Sequence, residues 1–386
     1  MPDQPDQHSR GIPSATGGPH LADRFLATFT RSNGLVSLAV VLAGFLVATL
    51  LIVISGRNPA GMYWSILQVV SGLDVWNGKW NVRYIGEWLA LSMPLILCGL
   101  SMAFAARTGL FNIGAEGQYI VGLTAAQFVA LLGPRIPVLG WVLALLAAVL
   151  AGACWGGIVG YLKARFQVSE VVATIMLNYI ALYFSRMLTL ALPGSSTYKT
   201  SPFPQEALLD SPILKALTRG SRLNEGLWFT LLAVLLFWFI MEKTRLGFSL
   251  RATGLNRDAA RASGIPVKRS ITTAMAIAGA FAGLAGAIVA LGSFDFGRVL
   301  SGMDGYGFDG IAVALVGNSH ALGTLLAGLL FGMLKAAQPL MQEWSIPREI
   351  TSIIVGLVVV FISLRSGVVM LAEWRQKELA KKGRAD

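Results

Sequence analysis

Few side chains in this sequence could do chemistry, and they sit in unusual places. Asn112, Glu116 and Gln118 lie in "TGLFNIGAEGQYIVGL", Thr108 to Leu123, together with Gly109, Gly114, Gly117 and Gly122. Long apolar runs flank this stretch on both sides. Asn178 falls inside another apolar run, "TIMLNYIALYF", and Asp309 and Asn318 bracket a third, short one. A carboxylate or amide is costly in lipid and normally faces a bundle interior or a water-filled cavity. These six residues are therefore the candidates to line a polar path for a small solute. The glycines fit that reading, because membranes tolerate unwound backbone only where it is buried in protein or lines a cavity. A structural reading stands beside it. Asn112, Glu116 and Gln118 can hydrogen-bond neighbouring helices near the cytoplasmic end, where a Glu116–Arg107 pair would serve, and Asn178 can supply an interhelical hydrogen bond, which for Asn178 comes before path lining.

The chemistry that is missing narrows the function. No GxxxxGK[ST] occurs, and the one Gly-Lys pair, Gly78-Lys79, is followed by Trp80. The chain thus has no phosphate-cradling loop of that type. Its three histidines, His8, His20 and His320, are not at metal-site spacing. No nucleophile and base stand in a readable order. The expectation is a protein that is not an enzyme and binds no metal or cofactor of its own. Cys98 and Cys154 both fall in apolar runs and read as small core residues without a disulfide.

The solvent that must hold these residues is a bilayer. Apolar residues make up 55% of the 386, before 43 glycines are counted. Charged residues are 13%, against roughly 25% in ordinary soluble domains. The net charge is +11, but the basic residues sit in short loops between apolar runs. That pattern signals membrane orientation, not a nucleic-acid partner.

A spanning helix needs about 20 mostly apolar residues. About ten stretches qualify as spans or broken spans: 35–55, 84–106, 112–132, 138–162, 169–192, 226–241, 270–291, 307–317, 321–338 and 349–365. The eighth is too short for a regular crossing and reads as a half-helix, with Asp309 able to cap its start and Asn318 marking its end. The fold class expected is an all-α integral membrane protein. Residues 1–34 read as a cytoplasmic tail without order, 35–365 as the membrane domain, and 366–386 as a basic cytoplasmic tail. Arg and Lys gather on the side that holds both termini, which places those termini inside. The first 30 residues lack the order of a cleaved signal peptide. The long polar loop 193–225 then faces outward. Phe294, Phe296, Tyr306 and Phe308 cluster on that outer side and read as an interfacial belt, with stacking on a flat ligand second.

A repeat is visible in the small residues. Ala144, Ala148, Gly152, Gly156 and Gly160 follow a strict i+4 spacing, as do Thr324, Gly328, Gly332 and Ala336. Each set makes one smooth helix face for close packing. Glu170 and Glu349 each precede the next apolar run. Spans 2–5 thus resemble spans 7–10 and enter from opposite sides. Inverted repeats of this kind are common in transporters.

The loop 242–269 carries a miniature helix signal. Asn256 can cap it, Asp258 suits the positive end of the dipole, and Ala259, Ala260 and Ala262 favour helix. Gly264 and Pro266 stop it. A short capped helix with a small-residue face is suited to docking a partner protein, because a headgroup-bound helix needs bulkier apolar anchors.

Three motifs, "TGLFNIGAEGQYIVG", "SEVVATIMLNYIALY" and "LRATGLNRDAARASGIPVKR", resemble the permease subunits of bacterial ABC importers for nucleosides and simple sugars. Branched-chain amino acid permeases are more distant relatives. The resemblance covers about 35–365. It implies a multi-pass inner-membrane subunit moving a small solute, most closely a nucleoside. It implies three protein partners: an ATP-binding subunit carrying ATP-Mg, a second and different permease, and an extracytoplasmic solute-binding protein. It also implies that Gly254, Asn256, Ala259, Ala260, Gly264 and Ile265 form the coupling helix that docks on the ATPase. The alternatives are a simple-sugar or branched-chain amino acid permease, or an ion-coupled carrier with Glu116 as its coupling group.

Overall fold

The computed structural model describes residues 33–74 and 78–363. Most of the tail expected over 1–34, and all of the basic tail over 366–386, lie outside the described residues.

The first helices are α1 (Asn33–Ile54), α2 (Ala60–Ser71), α3 (Arg83–Arg107), α4 (Ala115–Leu132), α5 (Leu139–Phe166) and α6 (Glu170–Leu190). After a loop come α7 (Pro212–Leu217), α8 (Gly226–Lys243), α9 (Arg245–Leu255) and α10 (Arg257–Ala262). The described residues end with α11 (Val267–Gly292), α12 (Tyr306–Val316), α13 (Ala321–Glu343) and α14 (Glu349–Ser363). Two short antiparallel pairs interrupt an otherwise helical fold. Strand β1 (Leu73–Asp74) pairs with β2 (Lys79–Trp80), and β3 (Lys199–Pro202) pairs with β4 (Phe296–Arg298).

Among the described residues, six helices are long and apolar enough to cross a bilayer: α3, α5, α6, α8, α11 and α13. The count of about ten spans is therefore not reached by length and hydropathy. The reason differs by element. Helix α4 has 18 residues, but Glu116, Gln118 and Gln127 make it less apolar. Helix α12 has 11 residues, as the half-helix reading expected, and α14 has 15. The apolar part of α1 that qualifies runs from Val41 to Ile54.

Small residues decide how the bundle closes. All five small residues on α5 are buried, and α5 packs along α11. At this seam Gly152 meets Gly279 and Gly283, and Gly160 meets Thr272. A methyl group on Gly279 would overlap the Gly152 backbone, so the two helix axes approach as closely as helices can. Helix α13 lies along α3 in the same manner, with Gly328 on Ile96 and Gly332 on Ser92. Helix α4 also rests on α11, and α12 on α3. Each set of four helices thus hands its second and third members to the first helix of the other set. Helices α3 and α11 are consequently the most buried spans.

Cys98 is buried in α3, as expected of a small core residue. Cys154 is exposed, because it lies off the glycine seam of α5. Neither forms a disulfide.

Candidate functional site

The break that precedes α4 is held by side-chain amides. Helix α3 stops at Arg107, and Gly109 takes a left-handed φ of 69°. Across the following loop, Asn112 Nδ2 donates to Gln118 Oε1 at 2.9 Å, and Gln118 Nε2 donates back to Asn112 Oδ1 at 3.1 Å. Asn112 Nδ2 also donates to Ser101 Oγ of α3 at 3.0 Å. From α6, Asn178 Nδ2 donates to the Ile113 carbonyl at 3.1 Å, and Asn178 Oδ1 accepts from the Gly117 N–H at 2.8 Å. The interhelical bond expected of Asn178 is present. Gly117 has no room for a Cβ there, because it would press on that amide. All of these polar atoms are buried and partnered, as a low-dielectric interior requires.

Glu116 hydrogen-bonds a neighbouring helix, as the structural reading expected, but not through Arg107. Its Oε1 accepts from the Gly305 N–H at 2.8 Å, and its Oε2 accepts from the Gly307 N–H at 2.6 Å. The side chain is fully buried. These donors belong to the first turn of α12, where backbone N–H groups lack helical partners and the dipole favours a negative charge. Glu116 is therefore a helix cap supplied from another helix. Gly307 makes it possible, because a Cβ would run into the Glu116 backbone. The expected Glu116–Arg107 pair does not form. Arg107 instead pairs with Glu242 at 2.6 Å.

Asp309 does not cap α12 either. The residue at the cap position is Gly305, with φ 84°, and Asp309 reaches across to Lys335 of α13 at 2.6 Å. Asn318 stands in the turn after α12 with φ 52°, a left-handed value that asparagine accepts more readily than most residues.

Beside α12 lies a cavity of about 190 Å³ between α3, α11, α12 and α13. Pro94, Phe294, Arg298, Asp304, Tyr306 and Lys335 are among its lining residues. Arg298 holds Asp304 through two bonds of 2.7 Å, and the Tyr119 hydroxyl donates to the same carboxylate at 2.8 Å. The Lys335 ammonium sits 4.7 Å from the Tyr306 ring centre, and the Arg298 guanidinium 4.9 Å from that of Phe294. Phe294 and Tyr306, expected in an interfacial belt, thus line this cavity. Asn112, Glu116, Gln118 and Asn178 do not line it. They shape the break and the cap behind it.

Sequence reasoning passed over Arg298, Asp304 and Tyr119. One signal was available: Asp304 lies in "GMDGYGFDG", a second Gly-interrupted stretch with two carboxylates.

The loop 242–269 holds two helices, not one. Helix α9 was not foreseen. Helix α10 begins where expected, with Asn256 Oδ1 accepting from the Asp258 and Ala259 N–H groups at 3.0 Å. Ala260 is buried, Ala259 is exposed, and Ile265 N–H closes the turn on the Ala260 carbonyl at 3.0 Å. Gly264 takes φ 80°. Gly254 lies against the backbone of Arg107, Thr108 and Gly109, and Arg257 donates to the Gly109 carbonyl at 3.2 Å. This loop therefore touches the break that begins at Gly109. At the tip, Leu255 is 89% exposed.

The comparisons with known proteins agree with this architecture. Residues 84–363 match the family described as branched-chain amino acid transport system / permease component. The chain is 41% identical over 334 residues to the guanosine ABC transporter permease protein NupP of Bacillus subtilis, covering 86% of this chain and 93% of that protein. It is 36% identical to the nucleoside ABC transporter permease protein NupB of Lactococcus lactis, covering 86% and 91%. It is 34% identical to the glucose ABC transporter permease protein TsgB13 of Haloferax volcanii, covering 72% and 75%. No solved structure matches the chain. With the match running from the start of α3 to the end of α14, this chain belongs to the branched-chain amino acid transport system permease family.

Proposed function

We propose that this chain is the membrane-spanning permease subunit of an ABC importer and that it carries nucleosides. The observation that carries the reading is the similarity to two permeases named for guanosine and nucleosides, over 86% of this chain in each case. A second reading, a simple sugar, is favoured by the similarity to the glucose permease.

In the assembly we envisage, a separate subunit binds and hydrolyses ATP-Mg, and an extracytoplasmic binding protein delivers the solute. The second permease is a related but different chain. The chain would cross the inner membrane about ten times with both termini in the cytoplasm. The exchange of partners between α3–α6 and α11–α14 supports two repeats related by an axis in the membrane plane. Helix α10, with Asn256, Ala259, Ala260, Gly264 and Ile265, would dock on the ATPase. Its contact through Gly254 and Arg257 with the Gly109 turn gives a short mechanical route to the α4 break. Asn112, Glu116, Gln118, Asn178, Asp309 and Asn318 would then set the shape of the path, chiefly as braces.

The test is purification of the tagged chain from its own membranes in mild detergent, followed by reconstitution. The expected result is co-purification of an ATP-binding subunit and a second permease, with ATP-dependent nucleoside uptake when the binding protein is added. ATP-dependent uptake of a sugar in place of nucleosides would favour the second reading. A chain that comes out alone and transports with a proton gradient would replace both with a secondary carrier.

A further inference from the structure

Helix α6 shows two different faces. Its inner face packs on α4 and is polar where it is buried, with Thr174, Asn178 and Ser185 facing inward and Ser185 within 2.6 Å of the Thr124 hydroxyl. Its outer face carries Met176, Tyr179, Tyr183 and Met187 in one stripe at spacings of three and four residues. Tyr179 is 52% exposed and Tyr183 is 66% exposed.

Depth makes the two tyrosines unusual. Helix α6 runs from Glu170 to Leu190, so Tyr179 lies at its midpoint and Tyr183 one turn further on. Neither hydroxyl has a hydrogen-bond partner among the described residues. In hydrocarbon an unsatisfied hydroxyl is costly, and lipid-facing tyrosines belong at the membrane interfaces. Of the other six tyrosines, five have a hydroxyl partner or stand near a helix end or in a loop, and Tyr306 borders the cavity beside α12. Tyr63 meets Thr49, Tyr119 meets Asp304, Tyr84 meets Gln68, and Tyr306 lies under Lys335. Tyr161 is near the end of α5 against Phe166, and Tyr198 stands in the loop after α6.

Helix α8 gives the contrast. Its exposed mid-span residues are Leu231, Leu232, Leu235 and Leu236, a surface matched to acyl chains. The stripe on α6 is not such a surface. Aromatic rings that alternate with methionines make an adaptable, polarisable wall, and their hydroxyls need water or a polar solute.

We propose that Tyr179 and Tyr183 line the aqueous translocation path and stack on the base of the nucleoside as it crosses. This rests on the nucleoside reading above. Stacking suits passage, because every base has a π-face and no fixed set of hydrogen bonds must be broken to move on. The first turn of α6 is tied to the last turn of α5 by the Glu170–Lys163 pair at 2.7 Å, so movement of α5 would shift the stripe.

The experiment uses the assembled importer in proteoliposomes, with Cys98→Ala and Cys154→Ala as background. Tyr179→Cys, Tyr183→Cys and Leu235→Cys are each exposed to a charged, membrane-impermeant thiol reagent. The two α6 positions are expected to react at least about tenfold faster than Leu235→Cys, because charged reagents do not enter hydrocarbon. Added guanosine is expected to slow both. In parallel, Tyr179→Ala and Tyr183→Ala should each reduce guanosine uptake about tenfold, and the Phe variants by less than about threefold, since the ring is kept. Reactivity as slow as that of Leu235→Cys would overturn the path assignment. Reactivity that guanosine leaves unchanged, or Ala variants with full uptake, would overturn the base contact. Uptake of a sugar but not of nucleosides by the unmodified importer would remove the nucleoside reading, while the labelling rates still report whether this face meets water.

Discussion

Two short helices in this protein are capped by side chains, and the caps are made in opposite ways. Helix α10 takes its cap from Asn256, the residue immediately before it. Helix α12 takes its cap from Glu116, which lies 189 residues away from Gly305 in sequence. The first cap is exposed to solvent, and water could replace it. In the second the Glu116 side chain and the Gly307 N–H are buried, while the Gly305 N–H is part-buried. A local cap defines an element that can move as a unit. A distant cap ties one half of the membrane domain to the other. The interior of this permease is thus tied across the repeat boundary by a buried cap, whereas α10 is capped by its own neighbour and reaches the first repeat through the exposed Arg257–Gly109 bond.

The most severe way to break this comparison is Glu116→Ala. It removes two hydrogen bonds and leaves the buried Gly307 N–H without its acceptor. The expected loss is about 3 kcal/mol of stability. A clear fall in melting temperature in detergent, and less protein in the membrane, should follow. Glu116→Gln keeps one acceptor and the shape, so roughly half that loss is expected. A Gln variant that melts like the wild type yet fails to transport would instead give Glu116 a direct part in the path.

This pair of caps also explains what could be read in the sequence. The α10 cap was legible because Asn256, the alanines and Gly264 lie within one short window. The α5 seam was legible because its five small residues keep one period. The Glu116 cap was not, because no local pattern links Glu116 to Gly305 and Gly307. The same holds for Lys335 and Asp309, and for Tyr119 and Asp304, which meet only once α4, α12 and α13 are packed. Helix α9 was missed for another reason. "RLGFSLRATGL" mixes glycine and arginine into a short helix that is weakly apolar as a whole.

Asn256→Ala is the matching change at the exposed cap. Two N–H groups of α10 lose their side-chain acceptor but remain open to water. The cost expected is about 1 kcal/mol, the usual value for a helix cap. Because α10 is a small part of the bundle, the melting temperature of the whole should hardly change. If α10 docks on the ATPase as proposed, ATP-driven uptake should fall more than stability does, since that helix frays. Equal losses in Glu116→Ala and Asn256→Ala would abolish the distinction drawn between the two caps.

The smallest structural effect is expected at Arg261. Its pair with Asp258 spans 3.7 Å between side chains that are both largely exposed. Surface pairs of this kind are worth little, because solvent screens them and both chains lose freedom in forming them. Arg261→Glu should therefore leave stability within about 0.5 kcal/mol. It would, however, place a second carboxylate beside Asp258 on the exposed face of α10. If that face meets the ATP-binding subunit, charge reversal slows assembly and lowers the ATPase stimulation by loaded binding protein, an effect that weakens as salt is raised. The measurement is ATP hydrolysis by the reconstituted importer at low and high ionic strength. Stimulation that is unchanged at both would move the docking surface away from Arg261, toward the exposed Leu255 at the end of α9.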